Sequence, residues 1–198
     1  MISRAAEHID EHGELSVRFR GELHRRIEQE SLSYHPRAGY YRRCKWSFMA
    51  AASAMPLWRN AGQGDADLQD LLRISRSALK GRVSLQEAQA RTEQLWEHFV
   101  ALGCDHPELQ VMTMAPLAAI AAAAAVVYDI DVANYEQNHL GGVPELWEAA
   151  WFASVAVAGG TVWSNDSSSS ARRSFWLHHL EVSLPAVWPP HVEPIDVA

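Results

Sequence analysis

The chain has 198 residues, of which 48% are hydrophobic and 21% charged, with 24 acids against 17 Lys and Arg and a formal net charge of −7. That length and apolar share fit one folded domain without covalent staples, and eight tryptophans exclude general disorder because they need an interior. The acidic balance argues against nucleic acid as a partner, and two cysteines make neither a disulfide framework nor a thiolate metal cluster.

Residues 1–15 carry Arg4, Glu7, Asp10, Glu11 and Glu14 and have no apolar run, so no signal peptide is expected. From Ser16 to Ser31, Phe19, Leu23 and Ile27 recur every four residues and predict an amphipathic helix. A polar turn around His35, Pro36 and Gly39 precedes a predicted helix from Tyr40 to Trp58, with Cys44, Phe48, Ala51, Ala52 and Met55 on one side. Pro56 should kink or end it. Asn60 to Gly64 has turn composition. Asp65 or Asp67 then caps a helix carrying Leu68, Leu71, Leu72, Ile74 and Leu79, with Gly81 as its stop.

Ser84 and Glu87 form a capping box for a helix with Leu85, Ala88, Leu95, Trp96, Phe99 and Leu102, expected to end at Gly103. Asp105-His106-Pro107-Glu108 is a second start signal, opening an apolar run from Val111 to Tyr128. The run has 18 residues, within membrane-spanning range, but much of it is alanine and Pro116 sits near its start. A buried central helix is therefore expected, with no membrane span and a cytoplasmic location. A Trp-rich helix from Pro144 to Ala158, a Ser-rich loop from Asn165 to Ser170, and a last helix from Ala171 to Leu184 follow. No stretch alternates with period two for more than a few residues. The expected fold class is all-α: a single compact bundle of about seven helices around the Ala-rich segment.

Charge is distributed unevenly. Residues 1–45 hold nine Lys and Arg against seven acids, whereas from Thr92 to Ala171 there is no Lys or Arg and there are ten acids. One sign over that length creates a negative potential that attracts cationic partners, and it also keeps a domain dispersed. Five tryptophans (Trp147, Trp151, Trp163, Trp176, Trp188) crowd the same half, either as core or as anchors in a binding face.

Sites for chemistry are scarce. Cys44 and Cys104 lack the context of a nucleophile, and no Gly-x-Ser-x-Gly elbow occurs. His178, His179 and Glu181 form the densest ligand cluster, but adjacent helical residues point about 100° apart. No catalytic, cofactor-binding or metal-binding residue is assigned, and no cofactor is expected. Asp129 and Asp131 are expected to close the central helix rather than act as acid and base. Arg42, Arg43 and Lys45, flanked by Tyr40, Tyr41 and Trp46, read as a salt-bridging face rather than a nucleic-acid site.

Two segments together carry a resemblance. One runs from Cys44 to Trp58, ending Ala-Met-Pro-Leu-Trp, with a later helix ending Leu79-Lys80-Gly81-Arg82-Val83. The other is Arg172-Arg173-Ser174-Phe175-Trp176-Leu177-His178-His179-Leu180-Glu181-Val182-Ser183-Leu184-Pro185. With the Ala-rich middle they resemble the Imm5-type immunity proteins of bacterial polymorphic toxin systems, over about residues 40–188. That family has an Arg-x-x-Phe-Trp motif opening its C-terminal helix. Arg173, Phe175 and Trp176 are matched to it here and are expected to clamp that helix to the core. His178 and His179 stand where aromatic residues are expected, and the first 35 residues match nothing in the family.

The resemblance implies a non-enzymatic antitoxin that binds and occludes a cognate toxin domain. It implies a division into an N-terminal helical segment (1–36), an immunity-like core (37–188) and a Pro-rich tail (189–198). An acidic face suits a basic, nuclease-type toxin, and Asp129, Asp131, Glu136, Glu145 and Glu148 are the expected contacts. Other classes remain: a helical regulator or scaffold that binds a partner peptide, or a small helical enzyme with an unrecognised site. A homodimer also stays open.

Overall fold

The computed structural model describes residues 6–129 and 148–188. Among them the protein is helical, with seven α-helices of ten residues or more and an isolated Ile9–Leu15 bridge as the only β-type pairing. The all-α bundle read from the sequence is the observed architecture.

Helix α1, Val17–Ser31, starts at Ser16, whose hydroxyl accepts from the Phe19 amide at 3.3 Å. It buries Leu23 and Ile27 as the four-residue spacing requires, together with Arg20 and His24. Helix α2, Ala38–Asn60, passes through Pro56 without stopping. The carbonyl that Pro56 leaves without a donor belongs to Ala52, and both residues are exposed, so water can satisfy it. Ala52 thus faces out, while Ala51, Ala54, Met55 and Trp58 hold the inner face.

Helix α3 spans Ala66–Leu79. Helix α4, Leu85–Asp105, is capped by Ser84, which accepts from the Glu87 amide at 3.1 Å. It runs past Gly103, whose role is packing: a Cβ there would lie 3.0 Å from Thr113 Oγ1. The start signal at residues 105–108 opens only a 3-10 turn, Pro107–Leu109, before α5, Met114–Tyr128.

Helix α5 is the hub of the bundle and packs against α2, α3, α4 and α6 (Ala149–Ala158). Every residue from Ala115 to Val126 is buried. Alanine lets four neighbours approach one helix while keeping helix propensity high, and larger buried side chains such as Trp46, Phe48, Leu68 and Leu71 belong to the same core. No helix among the described residues is long and apolar enough to cross a membrane. Helix α7, Ser169–His178, continues through a π turn, His179–Ser183, into Leu184–Ala186.

The N-terminal turn docks on α7. Gly13 has φ +78, and a Cβ on it would collide with the Ser169 carbonyl. Ile9, Leu15, Leu23 and Ile27 belong to the same apolar core as α2 to α7.

Candidate partner-binding face

Of the basic residues in the N-terminal segment, Arg20, Arg42 and Arg43 are buried, whereas Arg18, Arg25, Arg26 and Arg37 are exposed. Arg20 sits at the centre of an ionic hub. Its Nε lies 2.6 Å from Glu148 Oε1, its Nη1 lies 2.6 Å from Glu14 Oε1 and also donates to the Leu15 carbonyl, and its guanidinium stands over Trp176. His24 Nε2 is 3.1 Å from the other Glu148 oxygen. Arg172 completes the hub from α7: it donates to the carbonyls of His12 (2.8 Å) and Gly160 (2.5 Å) and places its Nε 3.6 Å from Glu14.

Burial pushes Glu14 up to about 7, against the opposing pull of Arg20 and Arg172. His179 lies beside this hub, stacked on Trp46 (centroids 4.7 Å) and on Phe175 (5.5 Å). Neither of its ring nitrogens has a hydrogen-bond partner among the described residues, and burial lowers it to about 3. It is a neutral aromatic in function, which explains a histidine where the family resemblance leads one to expect an aromatic ring.

The α7 motif is corrected at one position. At Arg-x-x-Phe-Trp spacing the arginine is Arg172, and this is the buried one. Arg173 is exposed and ties the helix down from outside, donating to the carbonyls of Ile9 (3.3 Å) and Asp10 (3.1 Å). Phe175 and Trp176 are buried.

Arg43 bridges Glu28 and Asp129, the latter at 2.6 Å. Arg42 donates to Ser31 Oγ at 2.7 Å and is sandwiched between Tyr34 and Trp188. For Arg43 the cluster is indeed salt-bridging, but it lies inside rather than on a face. Cys44 is buried against the Ala125 carbonyl, while Cys104 is exposed on the last turn of α4 rather than in a loop. Among the described residues no three His, Cys, Asp or Glu side chains gather into a metal-binding set.

The five acids read as contacts divide three ways. Asp131, Glu136 and Glu145 lie outside the described residues. Asp129 has a side chain 61% exposed and engages Arg43. Glu148 is only 4% exposed, held by Arg20 and His24, so it is an internal counter-ion and not a surface contact. Among the described residues, the exposed acids of the Lys/Arg-free stretch are Glu93, Glu97, Asp105, Glu108, Asp129 and Asp166. Of the second-half tryptophans, Trp176 is core, whereas Trp163 is 81% exposed.

Beside Glu93 and Glu97 an open cleft of about 560 Å³ lies between α4 and α5, lined by Thr92, Trp96, Val100 and Tyr128 among others. Glu93 accepts hydrogen bonds from Gln89 Nε2 and Tyr128 Oη, both at 2.8 Å, which hold its carboxyl below the usual range. The sequence signalled these two acids only as members of a long run of one sign.

The described residues thus define a helical scaffold with a buried ionic hub and, in the Lys/Arg-free stretch, a set of exposed acids. Residues 2–186 match the family model described as Immunity protein Imm5. The chain therefore belongs to the Imm5 immunity protein family, and its general role is immunity toward a toxin. The match begins near the N-terminus, not at residue 40, consistent with the N-terminal turn being built into the core. No curated protein matches the sequence.

Proposed function

We propose that this protein is a non-catalytic antitoxin that binds its cognate toxin domain in the cytoplasm and covers the toxin's active site with its acidic half. The observation that carries the reading is the 80-residue stretch without Lys or Arg (Thr92 to Ala171), whose exposed acids have few internal cations to neutralise them. A toxin that handles phosphates presents a cationic groove, and an acidic face would approach it quickly and in a fixed orientation. Asp129, Asp131, Glu136 and Glu145 remain proposed contacts. Glu148 leaves that set because it is buried and is held by Arg20 and His24.

The test is rescue. The toxin domain encoded beside this chain is induced in a bacterial host with and without it, and the complex is purified at low and high salt. Rescue with a salt-sensitive complex supports the acidic face. Rescue with a salt-insensitive complex keeps immunity and moves the contacts to apolar anchors such as Trp163. Absence of both rescue and complex would refute the reading.

A further inference from the structure

Glu93, Trp96, Glu97 and Val100 stand at i, i+3, i+4 and i+7 of α4, one stripe along the helix. This stripe is distinct from the one formed by Ala88, Leu95 and Phe99, which faces the core. It forms one wall of the 560 Å³ cleft, and Ala124 and Tyr128 of α5 form the other. Clefts of roughly 300–1,000 Å³ are the size in which ligands and anchor side chains are buried.

The polar inventory of this cleft is one-sided. The Thr92 hydroxyl is committed to the Ala88 carbonyl at 2.7 Å, and the Tyr128 hydroxyl donates to Glu93. What the lining offers a newcomer is therefore apolar surface from Trp96, Val100 and Ala124, the Trp96 indole N–H, and the oxygens of two carboxylates, which only accept. The nearest cation along the helix, Arg91, is engaged by Asp67 and by Gln94 and sits on the α3 side. Between Thr92 and Asp129 there is no Lys or Arg to neutralise the rim. An anion would be repelled by the two carboxylates, whereas an apolar side chain with a neighbouring ammonium or guanidinium group meets both the apolar wall and the acids at once.

We propose that the α4–α5 cleft is the docking site for a segment of the cognate toxin that inserts an apolar side chain between Trp96 and Val100 and sets a flanking Lys or Arg against Glu93 and Glu97. This rests on the immunity reading above and names the surface that performs it. Trp96 also makes an edge contact with Phe152 of α6 (centroids 5.9 Å), so the floor of the cleft is fixed to the bundle before a partner arrives.

The experiment measures affinity between the purified full chain and a catalytically inactivated form of the toxin domain encoded beside it. Wild type is compared with Val100→Arg, with the double variant Glu93→Lys/Glu97→Lys, and with Glu22→Lys on α1 as a control. Val100 is 37% exposed and both glutamates are exposed, so the variants should keep the wild-type circular dichroism spectrum. Val100→Arg should weaken binding by about 30-fold or more, the scale of losing a central anchor. The double reversal should weaken binding and flatten its salt dependence, and Glu22→Lys should change neither. If wild type binds and protects while folded cleft variants bind equally well, the cleft assignment is overturned and immunity stands. If wild type itself neither binds nor protects, both readings fall together.

Discussion

Replacing Glu14 with glutamine removes a carboxyl that burial pushes from its ordinary 4.5 up to about 7. A carboxyl whose folded pKa is raised contributes stability that is fully present below pH 4.5 and is lost as pH rises through 7. His179 works the opposite way. Its folded pKa is lowered from 6.5 to about 3, so its contribution is present above pH 6.5 and lost as pH falls toward 3. Between pH 6.5 and 4.5 each group changes the unfolding free energy by about 2 kcal/mol, in opposite directions, at about 1.4 kcal/mol for each pH unit once fully in range. The wild-type protein should therefore show almost no net slope from this pair. Glu14→Gln should expose the histidine alone and lose about 2 kcal/mol more than wild type over that interval. His179→Phe keeps the stack on Trp46 and Phe175, removes the imidazole, and should do the reverse. Urea unfolding at half-unit pH steps measures both, and the comparison is of slopes, so a constant cost of either substitution drops out. Identical pH slopes in wild type and Glu14→Gln would show that the hub does not hold Glu14 as described.

The two arginines of the α7 motif should separate cleanly. Arg172→Ala leaves buried Glu14 short of a cation and two carbonyls unpaired, costing about 3–5 kcal/mol, while Arg173→Ala should cost about 1 kcal/mol, both read from denaturant midpoints. In α5, Ala118→Leu forces a large side chain into a fully buried position and should lower stability by about 3 kcal/mol, with a matching fall in melting temperature. Ser84→Ala removes the α4 cap and should cost about 1 kcal/mol, while amide exchange quickens at Glu87 first.

Helix boundaries were legible because their signals are local. Ser16 and Ser84 cap by side-chain oxygens three residues from their amides, and the Ala-rich run could only be central once a membrane was set aside. That Pro56 does not end its helix depends on its orphaned carbonyl being exposed to water, which is a tertiary fact. The same reason explains the acids. Glu148 and Glu97 look alike in sequence, yet one meets Arg20 from a helix more than a hundred residues away and the other meets solvent. Arg172 and Arg173 are neighbours, and only the helix phase sends the first inward. The cleft could not be read at all, since its walls come from two helices, α4 and α5, that only the fold brings together.

The ionic hub also constrains when the molecule can become itself. His24 waits for Glu148 across 124 positions, and Arg172 reaches the His12 carbonyl across 160. During synthesis, α1 leaves the ribosome with Glu14 already made six residues before Arg20, whereas Glu148, which holds both Arg20 and His24, follows more than a hundred residues later. Completion of the hub is thus a late event that joins distant parts of the chain, and such long-range closure is slow. An immunity protein must be ready before its toxin acts, so this topology favours a standing pool of finished molecules over synthesis on demand.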